Sequence, residues 1–128
     1  MPLSRRTDLE GVFASRGWLS EQPAAFRGLV LSTGMPVELQ AGAFVFRRGD
    51  EAVGLYGILS GAIGIESGHQ GQAPLLNHVL RSGEWFGLKA VLGGGARELS
   101  YWALEPAQLL LVPRSRLLPL MHADPDVA

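Results

Sequence analysis

Residues 37–65 read V-E-L-Q-A-G-A-F-V-F-R-R-G-D-E-A-V-G-L-Y-G-I-L-S-G-A-I-G-I. Short apolar runs are cut here by glycine and charge, the spacing that strands have in sandwiches and barrels. The pattern predicts strands over 36–40, 43–47, 54–60 and 62–66. Ser60-Gly61 reads as a two-residue hairpin turn, so the runs on either side are expected to pair as antiparallel neighbours. Arg47-Arg48-Gly49-Asp50-Glu51 reads as a compact charged turn in which Gly49 takes a positive φ and the flanking charges pair.

Further strands are expected over 75–81, 99–103 and 108–113, with a looser polar connection over 68–73. Leu109, Leu110 and Leu111 form a continuous apolar run, the mark of a strand buried on both faces. Before the strands, Leu9, Val12, Phe13, Trp18, Leu19, Phe26, Leu29 and Val30 recur at helical intervals, with Pro23 opening a second short helix. After them, 114–121 reads as a brief helix. Asp124 followed by Pro125 has the form of an N-cap with proline at the first helical position, so a further helix is expected to start there.

The chain has 128 residues, 47% of them hydrophobic and 18% charged, enough for one domain with one core. A formal net charge of -1 leaves no basic footprint for gripping nucleic acid through its phosphates. The lack of cysteine excludes disulfides, thiolate nucleophiles and iron–sulfur ligation within these residues. No apolar run approaches the roughly 20 residues of a membrane helix, and M-P-L-S-R-R is not followed by an apolar signal segment. The expectation is a soluble, cytoplasmic protein. His69, His78 and His122 lack metal-binding spacing, no serine sits in a nucleophile elbow, and no catalytic residue is assigned. Trp18, Trp85, Trp102, Phe86 and Tyr101 are read as packing residues, with stacking on a base as the alternative.

Function points to residues 83–100, G-E-W-F-G-L-K-A-V-L-G-G-G-A-R-E-L-S. A glycine turn feeds a short apolar helix, three glycines end it, and Arg97 follows. Amides at a helix start and an arginine fork together suit a phosphate. The same glycines serve equally as a C-cap and tight turn, with Arg97 solvated on an edge.

Residues 37–65 resemble the opening strands of the cyclic nucleotide-binding domain found in Crp/Fnr-type regulators. Ala41-Gly42, then R-R-G-D over 47–50, then L-S-G over 59–61 carry the likeness in order, and G-E-W-F-G over 83–87 with Ala96-Arg97 fall where that family places its phosphate-binding cassette. The resemblance implies a mainly β fold, a jelly-roll-like β-roll with flanking helices. It divides one domain into a helical cap over 1–34, a roll over 35–113 and a C-terminal helix over 114–128 that ends in the start of a truncated dimerisation helix. A homodimer and a DNA-reading segment beyond these residues are implied as partners, with no membrane.

The family's pocket residues fall on Phe86, Gly87, Leu88, Lys89, Ala90, Arg97, Glu98 and Leu99. Arg97 matches the arginine that pairs with the cyclic phosphate. The ribose-binding glutamate is replaced by Leu88, and the small hydroxyl residue beside the arginine by Glu98. A carboxylate there competes for the arginine, since unit charges 4 Å apart at an effective dielectric of ~20 interact by ~4 kcal/mol. Leu88 leaves a ribose hydroxyl unpaired, which costs roughly 1–3 kcal/mol. Glu98 turned to solvent and Lys89 replacing lost charge would offset these changes.

The resulting expectation is the sensory domain of a Crp/Fnr-like regulator with a degenerate nucleotide pocket, binding another small effector or acting as a dimerisation scaffold, without catalysis. The alternatives are a working cyclic AMP or cyclic GMP receptor, with cyclic nucleotide as its ligand, and a cupin-like metal enzyme. Arg97→Ala is expected to abolish binding in the receptor and to change little in the degenerate domain.

Overall fold

Among the described residues eight antiparallel strands divide into two sheets, and the triple leucine lies on a strand with the second sheet on one face and the helices on the other. The structure is a computed structural model describing residues 6–66 and 76–127. The first sheet contains β1 (Met35–Leu39), β3 (Gly54–Ser60), β6 (Trp85–Phe86) and β8 (Ala107–Pro113), in the order β1-β8-β3-β6. The second contains β2 (Phe44–Phe46), β4 (Ala62–Glu66), β5 (Leu76–Arg81) and β7 (Ser100–Ala103), in the order β2-β7-β4-β5. Leu109 packs between the sheets with Ile58, Ile63 and Phe86, while Leu110 faces the opposite way, towards the helices. Both are essentially inaccessible, as a strand buried on two faces requires.

The helices cover the outer face of the first sheet. In α1 (Arg6–Phe13), Leu9 and Phe13 stand one turn apart and are buried, as are Phe26 and Val30 in α2 (Ala24–Thr33), which follows Pro23. A 3-10 turn over Trp18–Glu21 joins them and buries Leu19. From the C-terminal side α4 (Arg114–Ala123) adds Leu117 to the same cluster. Each of these side chains contributes about 1.5–3 kcal/mol through burial.

One expectation requires correction. Ser60-Gly61 is not a hairpin: β3 and β4 belong to different sheets, and Gly61 is the corner at which the chain crosses between them. Gly61 has φ 91°, and a Cβ there would meet Pro106 O at 2.6 Å. Gly61→Ala should therefore cost about 2 kcal/mol from backbone strain alone. Denaturant unfolding checks this, and an unchanged midpoint would mean that the corner relaxes. Asp124 Oδ1 accepts from Asp126 N at 3.0 Å, the bond that an N-cap aspartate makes to the second residue of a helix. β6, two residues paired with Tyr56 and Gly57, was not expected. The connection over 68–73 and His69 lie outside the described residues.

Candidate functional site

The R-R-G-D turn and residue 97 are stitched together along their backbones. Gly49 N donates to Arg97 O and Arg97 N to Asp50 O, both at 2.8 Å, while Glu51 bridges Ala96. Gly49 takes φ 91°, as expected, and Asp50 Oδ2 accepts from Arg47 N at 2.9 Å. Arg47 lays its guanidinium 4.4 Å from the Phe44 ring centre, and Arg48 donates to Glu98 O from Nε at 3.0 Å and to Ser100 Oγ from its backbone N. The turn thus fixes the strand segment that carries Arg97.

Gly87 turns β6 into α3 (Leu88–Gly93) with φ 92° and ψ 5°, a left-handed conformation that glycine adopts without strain. Its missing side chain also makes room: a Cβ would lie 2.6 Å from Arg97 Nη1. Gly94, at φ 69°, caps the helix end, so the C-cap reading of the triple glycine holds. Gly93 and Gly95 nevertheless border a cavity of about 350 Å³ between α3 and β7.

Arg97 is not solvated on an edge, and Glu98 does not neutralise it. Arg97 is 4% exposed and points inward. Its Nη1 donates to Gly87 O at 2.8 Å and its Nη2 to Gly54 O at 2.6 Å, with the guanidinium 4.1 Å from the Phe46 ring centre. Arg97 Nε is buried without a partner. Glu98 faces the other way and pairs with Lys89 at 3.8 Å, both largely exposed. The chain bends at Glu98 and Leu99, and the exposed Lys89–Glu98 pair contributes little to stability.

Of the eight expected residues, Gly87, Lys89, Ala90, Arg97, Glu98 and Leu99 line the cavity. Leu88 and Phe86 do not: Leu88 packs against the helical cap cluster, and Phe86 is buried between the sheets. Phe46 and Tyr101 complete the wall. Tyr101 was read as a packing residue with base stacking as the alternative; Phe46 directly precedes the R-R-G-D turn, a position that could have found it.

Tyr56, Phe86 and Tyr101 stack in series, at 5.4 Å and 4.9 Å between ring centres, beneath this wall. Burial raises the phenol pKa of both tyrosines above the ordinary value of 10.0, against the opposing field of Arg97. Burial likewise lowers the Arg97 pKa, while both tyrosines and Asp50 counter it. The folded state therefore holds phenol protons that the unfolded chain has begun to release at about pH 10, and stability falls as pH rises from there through the raised folded values. These are the only two tyrosines in the chain. An ultraviolet titration should show tyrosinate forming at higher pH in the folded protein than in denaturant, and coincident curves would contradict the burial.

Among the described residues no three histidine, cysteine, aspartate or glutamate side chains are grouped to hold a metal ion, and no helix is long and apolar enough to cross a membrane. A two-sheet roll with a short helix and a buried arginine beside a small cavity defines a class of regulatory ligand-binding domain. The family model for the cyclic nucleotide-binding domain matches residues 36–124, and the chain belongs to that family.

The sensor domain of the transcriptional regulator DNR from Pseudomonas aeruginosa superposes with a TM-score of 0.77 at 19% identity, over 89% of this chain and 77% of that one. The Thermus thermophilus catabolite activator protein gives 0.77 at 28% identity, over 86% and 52%. A Rhodopseudomonas palustris protein that carries the name of a potassium channel is 31% identical over 91 residues, 71% of this chain and 22% of that protein. The chain thus spans less than a quarter of the curated relative it matches.

Proposed function

We propose that this chain is the sensory domain of a Crp/Fnr-like transcriptional regulator, and that its cavity takes a small effector other than cyclic AMP or cyclic GMP. Cavity occupancy shifts the segment after the roll between two arrangements, and so biases dimerisation and DNA binding carried by parts of the protein beyond these residues. The domain is regulatory and performs no catalysis.

The observation that carries the reading is Leu88, which stands where the family's ribose-binding glutamate falls and packs against the helical cap cluster. Leu88 offers a ribose hydroxyl no acceptor, which costs roughly 1–3 kcal/mol. Arg97 commits two of its five N–H donors to Gly54 O and Gly87 O, which restricts the directions from which a phosphate can reach the others.

The test is the thermal unfolding midpoint with and without millimolar cyclic AMP and cyclic GMP. A ligand at ~100 times its dissociation constant adds about 2.7 kcal/mol. No shift is expected with either nucleotide; a clear upward shift would make the domain a nucleotide receptor.

A further inference from the structure

Two arginines hold α3, one at each end. At its start, Gly87 O accepts from Arg97 Nη1 at 2.8 Å. In its last turn, where helix carbonyls lack amide partners, Val91 O accepts from Arg114 Nε at 2.7 Å. The Arg114 guanidinium also lies beside the glycine cap, since a Cβ on Gly94 would meet its Nη2 at 3.2 Å.

Both arginines are anchored in one stretch of backbone at the entry to β3. Gly54 O accepts from Arg97 Nη2 at 2.6 Å, and Val53 O, one residue earlier, accepts from Arg114 N at 2.9 Å. Arg114 is also the first residue of α4. A displacement of α3 relative to β3 therefore pulls on the first residue of α4. Val91 O would move while Val53 O stays, and Arg114 keeps both bonds by turning its side chain or by a shift of the first turn of α4.

We propose that Arg97 and Arg114 form a clasp across α3, and that Arg114 is the positioning residue transmitting movement of this cavity wall to α4. Its use in signalling rests on the reading of the cavity as the effector site. The mechanical link requires no ligand.

The test is a double-mutant cycle on the full chain, read by native-state hydrogen exchange at the α4 amides. Ala90→Gly loosens α3 while leaving both arginines in place. Arg114→Met removes the donor but keeps the aliphatic stem. Ala90→Gly should speed exchange in α4 by about five-fold or more when Arg114 is present, and leave it nearly unchanged in the Arg114→Met background. Equal acceleration in both backgrounds, or none in either, would overturn the clasp. A residue that merely stabilised α4 would give additive effects. Should Ala90→Gly prevent folding, Arg97→Lys supplies the perturbation at the other end of α3 with the same expected pattern. Because the cycle uses no effector, failure to find one would count against the cavity reading and not against the clasp.

Discussion

Arg97→Ala should lower the thermal midpoint of the ligand-free chain by about 10 °C. Two backbone carbonyls, Gly54 O and Gly87 O, lose their donor, and the Phe46 ring loses the cation above it. Each bond to a charged group contributes about 1.5–3 kcal/mol, offset by relief of the buried guanidinium's desolvation, for a net near 3 kcal/mol. For a chain of this size that corresponds to roughly 10 °C. An arginine held only for a ligand would behave differently, since its removal without ligand would leave the midpoint unchanged or raise it. The residue ties β3, the turn before α3 and β2 together whatever the cavity holds. Scanning calorimetry decides between the two outcomes.

Phe13→Ala should be more severe, at about 4 kcal/mol or about 15 °C. Phe13 is 0% exposed, and its ring centre lies 4.7 Å from that of Trp85, which contacts Trp18 in turn. These rings fasten the helical cap to β6, the strand that runs directly into α3. Truncation leaves a cavity in a cluster that also includes Leu110 and Leu117, so the effect should appear as one cooperative transition at lower temperature. Two separate transitions, with the roll melting at its original midpoint, would show that cap and roll are independent.

What could be read from the sequence follows from how local each signal is. Strands β3 and β4 were located to the residue because Ser60-Gly61 punctuates them, and Leu109 and Leu110 announced burial on both faces. The pairing of β3 and β4 was misread because a glycine corner and a hairpin turn share the same composition, and only the distant partner β8, lying beside β3, distinguishes them. β6 has two residues, too few for any periodicity.

At the site, the glycines around α3 and the cavity position of residues 97–99 were legible, since they follow one another along the chain. The inward turn of Arg97 was not, because its acceptor Gly54 O lies 43 residues away. The direction of Leu88 was equally hidden, being set by the cap against which it packs.

The proposed function holds that a cavity with Leu88 in place of a ribose acceptor, and with two Arg97 donors held by Gly54 O and Gly87 O, does not select cyclic nucleotides. The most direct measurement is a calorimetric titration of the full chain with cyclic AMP and with cyclic GMP. Dissociation constants in the millimolar range or weaker, with no saturable heat at micromolar ligand, are the predicted result. A saturable isotherm with a micromolar constant for either nucleotide, lost in Arg97→Lys while the fold persists, would contradict it.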